Sequence, residues 1–286
     1  MDNNMGDKTD ATIIQSPQPT ETPVPVHNPL LDRLRIPGTS FRLPSQGLFY
    51  ENGELASSTT NGELEVYPMT AIDEVILATP DKLLSGKAIE EVFTRCIPQV
   101  VKPRDLLARD VDFLMMCLRN VTFGATMEVK YKHECENALN HTYMINIDQL
   151  IKSVKQVDPT TISKEYTLTM DNGQVVKLKP LTFATIIDLY QSTAFSKQEE
   201  DFSQEEAETM IIRSISSAIK SVDNIEDVSM IEGWVRSISL GWKRQIEQQV
   251  QQISNWGMDF EVKDHCKDCK EEITLQITAN PISFFI

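Results

Sequence analysis

Residues 258–277 read MDFEVKDHCKDCKEEITLQI and decide the fold expected at the C-terminal end of the chain. Apolar and polar residues alternate on both sides of a polar tip, as in a β-hairpin with one buried face. The tip contains Cys266-x-x-Cys269. This spacing lets two thiolates in a tight turn face one tetrahedral metal ion. The stretch therefore predicts a hairpin of the zinc-ribbon type.

A second hairpin with a polar tip is expected earlier in the chain. Alternation over residues 127–131 and 143–147 flanks a segment that contains Cys135, with His133 and His141 on either side of it. If the two tips meet, three cysteines and one histidine would complete a four-ligand shell. Two alternatives remain open: a zinc ion held by Cys135, Cys266, Cys269 and one of the two histidines, with His133 taken as the ligand, or a metal-free ribbon held by its strands.

Most of the remaining chain has the spacing of amphipathic helices. Apolar residues recur at helical intervals in three successive stripes, at Ile72, Val75, Ile76 and Leu77; at Ile89, Val92, Phe93, Cys96 and Ile97; and at Leu106, Leu107, Val111, Leu114, Met115 and Leu118. A third hairpin is predicted around Asn172-Gly173, a strong turn signal. Further helices are expected after Pro180. The sequence thus predicts an α+β fold, a mostly helical body with two or three β-hairpins, two of them zinc-ribbon-like knuckles.

Three segments are expected along the chain. Residues 1–38 are rich in Pro and Thr and predict a disordered arm. Residues 39–257 form the helical body, with hairpins inserted at about 125–180, and residues 258–286 form the C-terminal knuckle and a hydrophobic tail. The segments expected to order on contact with a partner are apolar residues of the arm and the chain end, namely Leu30, Leu31, Leu34, Ile36, Phe284, Phe285 and Ile286.

Charge and composition exclude several classes of protein. The 286 residues carry 27 Lys and Arg against 42 Asp and Glu, a net charge of −15, which argues against coating of nucleic acid. No stretch approaches the roughly 18–20 apolar residues of a membrane span. The acidic, polar start has no secretory signal pattern, and five cysteines fit a reducing cytosol rather than a disulfide scaffold.

No motif for catalysis is recognisable. The chain has no Gly-x-Ser-x-Gly, no phosphate-binding Gly-Lys-Ser/Thr loop and no His-Glu-x-x-His. Cys96 and Cys117 lie on apolar helical stripes and are interpreted as core residues. Asp73 and Glu74 are interpreted as residues of a polar helix face. The sequence therefore predicts a protein that is not an enzyme, with no catalytic residue and no cofactor apart from the zinc alternative.

Several short motifs follow one another in an order known from one family of phage proteins. They are Phe41-x-x-Pro44-Ser45-x-Gly47-x-x-Tyr50, Val66-x-Pro68-Met69-Thr70-x-x-Asp73-Glu74, Leu83-Leu84-x-Gly86-x-Ala88 with Cys96, Asp110-x-x-x-Leu114 with Leu118-Arg119, the hairpin at Cys135, and Cys266-x-x-Cys269 followed by Phe284-Phe285. In these motifs the chain resembles the T4-type baseplate hub family of contractile-tailed bacteriophages. The resemblance covers residues 40–150 and the C-terminal hairpin.

The resemblance implies a structural subunit or an assembly factor, such as a chaperone, of the tail baseplate hub. Its partners would be other phage hub and tail proteins, with no nucleic acid, membrane or small molecule. It would be found in the host cytoplasm during assembly and in the virion tail baseplate. Relatives often carry both cysteines in the first knuckle, whereas Ala138 stands at the second position here. The alternative function is a regulatory zinc-ribbon module that binds nucleic acid or protein.

Overall fold

The computed structural model describes residues 36–135, 139–160, 165–194 and 204–277. The helices in these ranges are α1 (Ala71–Leu77), α2 (Pro80–Leu84), α3 (Lys87–Cys96), α4 (Ala108–Phe123), α5 (Ile147–Lys152), α6 (Phe183–Ala194), α7 (Gln204–Ser217), α8 (Val228–Ser237) and α9 (Leu240–Ile253). The strands are β1 (Thr39–Arg42), β2 (Glu63–Val66), β3 (Thr126–Lys132), β4 (Asn140–Asn146), β5 (Tyr166–Thr169), β6 (Val175–Leu178), β7 (Ile219–Val222), β8 (Glu261–His265) and β9 (Glu272–Gln276). This is the α+β fold that the sequence predicts.

The strands form small antiparallel sheets rather than one large sheet. β1 pairs with β2, β3 with β4 and β8 with β9, while β5, β6 and β7 form a three-stranded sheet in that order. The β5–β6 hairpin turns at Asn172-Gly173, and Gly173 has a φ of 85°, which a residue without a Cβ adopts at no steric cost. Each predicted hairpin is therefore present.

A large apolar core joins the helices α3 and α4 to the strands of both knuckle hairpins. The stripes on α3 and α4 are buried, and they include Phe93 and Leu114, which are fully shielded from solvent. Cys96 and Cys117 are buried in the same core, as their position on the stripes predicts. Cys266, Ile273 and Leu275 of the C-terminal hairpin belong to it as well. The C-terminal hairpin thus packs on the helical body.

A smaller core lies between residues 166 and 253. It joins the β5–β6–β7 sheet to α7, α8 and α9 through buried aliphatic side chains such as Val176, Ile215 and Ile246. A short cluster of Leu107, Val157 and Trp256 stands apart from both cores, with Phe49 and Tyr50 packed against it. The ring centroids of Phe49 and Trp256 are 6.4 Å apart, in a stacked arrangement.

Two predicted elements differ from the structure. Ile219 follows Ile215 at the spacing of the helices expected after Pro180, but it begins β7, whose backbone pairs with β6. Ile147 was expected to continue the alternation of β4, but it begins α5, because the side chain of Asn146 accepts a hydrogen bond from the Gln149 N–H and caps a helix there. In both places the type of secondary structure is set by a hydrogen-bonding interaction that the spacing of apolar residues does not reveal, the pairing with β6 in one case and the Asn146 cap in the other.

The orientation of α1 also differs from the expectation. Leu77 is buried as predicted, but Ile72 and Val75 face solvent, with 62% and 68% of their surface exposed. Asp73, interpreted as a residue of a polar helix face, is 1% exposed. The carboxylate is buried because it accepts hydrogen bonds from Thr70 N–H, Thr70 Oγ1 and Arg95 Nε.

Candidate metal centre

In each knuckle hairpin the two strands pair as far as the residue directly before the tip, so the candidate metal ligands lie in the tips. In the first hairpin the ladder ends at the pair Lys132 and Asn140, directly before His133. In the second it ends at the pair His265 and Glu272, directly before Cys266. The side chains at 133, 135, 266 and 269 are therefore free of the strand ladders and can converge.

The Cys266-x-x-Cys269 turn has the backbone of a tight knuckle. The Cys266 N–H donates to the carbonyl of Glu271 at 2.9 Å, and the Lys270 N–H donates to the carbonyl of Cys266 at 3.0 Å. Lys270 has a φ of 66°, in the left-handed region, which lets the chain reverse within a few residues. The turn therefore has the compact backbone that a knuckle with two thiolate ligands requires.

Several contacts join the second tip to the first hairpin. His141 Nε2 lies 2.7 Å from Asp268 Oδ2. Lys267 donates its backbone N–H to Tyr143 Oη at 3.3 Å, and its Nζ lies 5.0 Å from the centre of the Tyr143 ring and donates to the carbonyl of Thr142. Hydrogen bonds and a cation–π contact thus fix how the hairpins meet. No local pattern in the sequence indicates these contacts.

The four residues predicted as metal ligands lie together. The potential ligand atoms of His133, Cys135, Cys266 and Cys269 are all within 4.8 Å of one another. Cys269 Sγ is 3.4 Å from His133 Nδ1. A tetrahedral zinc ion with Zn–S bonds of about 2.3 Å and Zn–N bonds of about 2.0 Å holds such atoms roughly 3.5 Å apart. The group could therefore hold a metal ion with small adjustments of its side chains.

The two knuckle thiols differ in proton affinity. Hydrogen bonds from the backbone N–H groups of Cys269 and Asp268 lower the pKa of Cys266 to about 6, against the burial that would raise it. For Cys269 the Glu271 N–H acts to lower the pKa, but burial and the neighbouring Cys266 sulfur outweigh it and raise the pKa to about 11. One thiolate is thus present near neutral pH, and metal binding would displace the proton of the other.

The donor set suits a structural zinc site. Three sulfurs and one imidazole nitrogen close a four-coordinate shell and leave no open position for a substrate. His133 presents Nδ1 to Cys269, and its Nε2 lies 4.0 Å from Glu271 Oε2. Proteins usually orient a metal-ligating histidine through a partner on its second ring nitrogen, and Glu271 lies near that nitrogen but beyond hydrogen-bond distance. Of the two histidines that the sequence left open, His133 lies with the cysteines and His141 faces Asp268.

The residues expected to bind partners are placed only in part. Ile36 is described and is 44% exposed. Leu30, Leu31 and Leu34 lie outside the described residues, as do Phe284, Phe285 and Ile286. The contact role of these segments stays a prediction.

One cleft contains a carboxyl group with a shifted pKa. Burial raises the pKa of Asp112 to about 6, and Arg109, which also lines the cleft, acts in the opposite direction. The remaining lining is apolar apart from Ser254, and it contains no histidine or cysteine. Among the described residues, Asp112 is thus the one carboxyl group in a mostly apolar lining, together with the Arg109 guanidinium and the Ser254 hydroxyl.

Comparison with known proteins gives one match. The family model described as T4 bacteriophage base plate protein matches residues 55–286, which include most of the large core, all of the smaller core and both knuckle hairpins. No curated protein and no solved structure matches. Within the described ranges, no helix has the length and apolarity needed to cross a bilayer.

Proposed function

This chain belongs to the T4 bacteriophage base plate protein family, and we propose that it is a non-enzymatic protein of the baseplate hub. It would act through contacts with other hub and tail proteins, as an assembly factor or as a structural subunit. It would be made in the host cytoplasm and meet its partners there during assembly. The observation that carries this proposal is the family match over residues 55–286.

The chemistry of the described residues supports a role in contact rather than in catalysis. The Cys and His group has the composition of a closed structural site. Asp110 is buried, but its oxygens accept hydrogen bonds from Ser45 N–H and Tyr50 Oη, so it acts within the framework of the fold. The acidic net charge of −15 weighs against the alternative of a nucleic-acid-binding regulator.

Zinc is the metal we assign to the group of His133, Cys135, Cys266 and Cys269. Thiolates and imidazole in a tetrahedral set favour zinc over oxygen-seeking cations such as magnesium or calcium. The ion would link the tip of the β3–β4 hairpin to the tip of the β8–β9 hairpin and so hold the two hairpins together. Elemental analysis of the chain purified without chelator tests the assignment. One zinc per chain is expected, and a metal-free chain or one that holds iron would contradict it.

The hub function is tested in a phage that carries this chain. Deleting its gene should stop tail maturation at the hub, with loss of infectious particles that the gene restores in trans. Normal, infectious tails without the chain would remove the proposal. A mass-spectrometric inventory then separates its two forms. A fixed copy number in finished particles indicates a structural subunit, and presence only in intermediates indicates an assembly factor.

A further inference from the structure

Helix α1 buries an acidic side chain and exposes two aliphatic ones, which is the reverse of an ordinary surface helix. Its acid Asp73 is 1% exposed, while its aliphatic residues Ile72 and Val75 are 62% and 68% exposed. Residues three positions apart are neighbours on a helix surface, so Ile72 and Val75 form one apolar strip. We call this strip, together with the exposed Glu74 on the other side of Val75, the outer face of α1. Single exposed apolar residues are common on protein surfaces. A helix that exposes its aliphatic residues and buries its carboxylate is unusual, and a specific interaction must explain it.

Hydrogen bonds to the buried carboxylate of Asp73 hold α1 in this orientation. Asp73 Oδ2 accepts from the Thr70 N–H at 2.8 Å and from Thr70 Oγ1 at 2.6 Å, and Oδ1 accepts from Arg95 Nε. Leu77, at 1% exposure, anchors the opposite end. Rotating the helix to cover Ile72 and Val75 would break all three bonds and expose Leu77. The outer face is therefore built into the fold and cannot be hidden by rotation of the helix.

Exposed carboxylates lie on the outer face of α1 and in the helix that follows it. Glu74 and Asp81 are both exposed, and neither forms an ion pair in the part of the chain that the structure describes. The nearby Lys82 is neutralised by Glu91, at 2.7 Å. A second copy of this chain would bring the same carboxylates opposite each other, on a molecule with a net charge of −15. A surface with Lys or Arg around an apolar patch would complement them.

We propose that the outer face of α1 docks another baseplate protein, at an apolar surface flanked by Lys or Arg. This inference rests on the proposed hub function and names the surface and the chemistry of the partner. The aliphatic strip would supply the apolar contact, and Glu74 would fix register against a basic residue.

Incorporation into hub intermediates tests the surface. A phage deleted for the gene is complemented with full-length variants, and the chain is quantified by mass spectrometry in isolated intermediates. We expect Ile72→Glu with Val75→Glu to lower incorporation at least tenfold. The matched control is Val228→Glu with Met230→Glu on α8, whose side chains are 66% and 63% exposed, and its incorporation should stay within twofold of wild type. The milder double variant Ile72→Thr with Val75→Thr should keep the melting temperature of the wild type. A lower incorporation of this variant then reflects lost docking rather than lost folding.

Two further variants test the chemistry of the partner. Glu74→Lys keeps the aliphatic strip and should lower incorporation several-fold, and Glu74→Gln should lower it less. A photo-crosslinking residue at position 75 should yield adducts with another baseplate protein, at a peptide that contains Lys or Arg.

Wild-type levels of incorporation for both α1 double variants would overturn the inference, as would adducts only with a second copy of this chain. If the wild-type chain is itself dispensable for infectious tails, the hub function fails, which is a different result.

Discussion

Cys269 Sγ lies 3.4 Å from His133 Nδ1, although 136 positions separate the two residues in the sequence. The contact joins the tips of two hairpins that each form from local sequence. The β8–β9 hairpin also contributes Ile273 and Leu275 to the large core. The metal-ligand group therefore lies at the edge of a packed interface.

Loss of one knuckle thiol should remove the metal and destabilise the chain. Cys266→Ser replaces a buried thiolate ligand, and a structural zinc contributes its binding free energy directly to folding. A loss of about 3 kcal/mol lowers the melting temperature of a chain of this size by roughly 6–12 °C. Zinc content and thermal unfolding measure both effects. Cys117→Ser, in the core and away from the group, should keep one zinc per chain, and an unchanged zinc content in Cys266→Ser would contradict the assignment.

Tyr50→Phe should destabilise the fold by about 1–3 kcal/mol, because it removes one hydroxyl that serves two buried groups. Tyr50 Oη donates to Asp110 Oδ2 at 2.6 Å and accepts from the Leu107 N–H at 3.0 Å. Urea unfolding at pH 7 measures the loss. Tyr67→Phe is the control, because the Tyr67 hydroxyl bonds Glu65 at the exposed surface and its removal should change stability by less than about 0.5 kcal/mol. Equal effects of the two variants would contradict the bridging role.

Asp110 itself should make stability depend on pH. Burial raises its pKa to about 6, although hydrogen bonds from Ser45 and Tyr50 act to lower it. The folded chain then holds a proton that the unfolded chain, with a pKa near 3.9, has lost. Its contribution to stability is therefore fully present below about pH 4 and decreases as the pH rises to about 6. Urea unfolding between pH 4 and 7 should show a weaker decline in Asp110→Asn than in wild type, and parallel curves would contradict this.

Asp73 should make stability depend on pH in the opposite direction. Burial alone would raise its pKa, but the hydrogen bonds from Thr70 and Arg95 outweigh it and hold the pKa below its ordinary value. The stability it contributes is thus present above about pH 3.9 and is lost as the pH falls through the folded pKa. We expect Asp73→Asn to cost about 1–3 kcal/mol at pH 7 and much less near pH 3. Asp81→Asn, at an exposed position without an ion pair to any described residue, should change stability little at either pH.

Gly62→Ala should be far more damaging than Gly53→Ala. Both glycines have a positive φ, 68° and 75°, so each substitution pays about 1 kcal/mol for the left-handed backbone. A Cβ at Gly62 would lie 2.7 Å from backbone atoms of Gln46 and Gly47, whereas none lies within 4 Å at Gly53. The difference between the two melting temperatures isolates the close approach of the two chain segments. Equal losses would show that backbone conformation alone matters.

The hairpins were predictable because their signals are local. Asn172-Gly173 specifies a turn whatever surrounds it, and Cys266-x-x-Cys269 shows half of a metal site in four residues. The choice between His133 and His141 was not predictable. It depends on which residue of one tip faces Asp268 on the other, and that follows from the docking of the two hairpins.

The apolar pattern of α1 predicted the helix correctly but predicted the wrong buried face. Thr70 and Asp73 are spaced as a capping pair, which the sequence contains, but the burial of the carboxylate also needs Arg95, which lies 22 residues further on. A seven-residue helix has too few apolar positions for periodicity to fix its rotation.

The sequence by itself determined the period of most elements, the turns and the identity of the thiol donors, because these depend on neighbours within a few residues. Tertiary structure alone decided that Cys135 and His133 meet Cys266 and Cys269, and that Ile72 and Val75 face outward. Both outcomes minimise the free energy of the whole packed core, a sum over contacts between residues far apart in the chain.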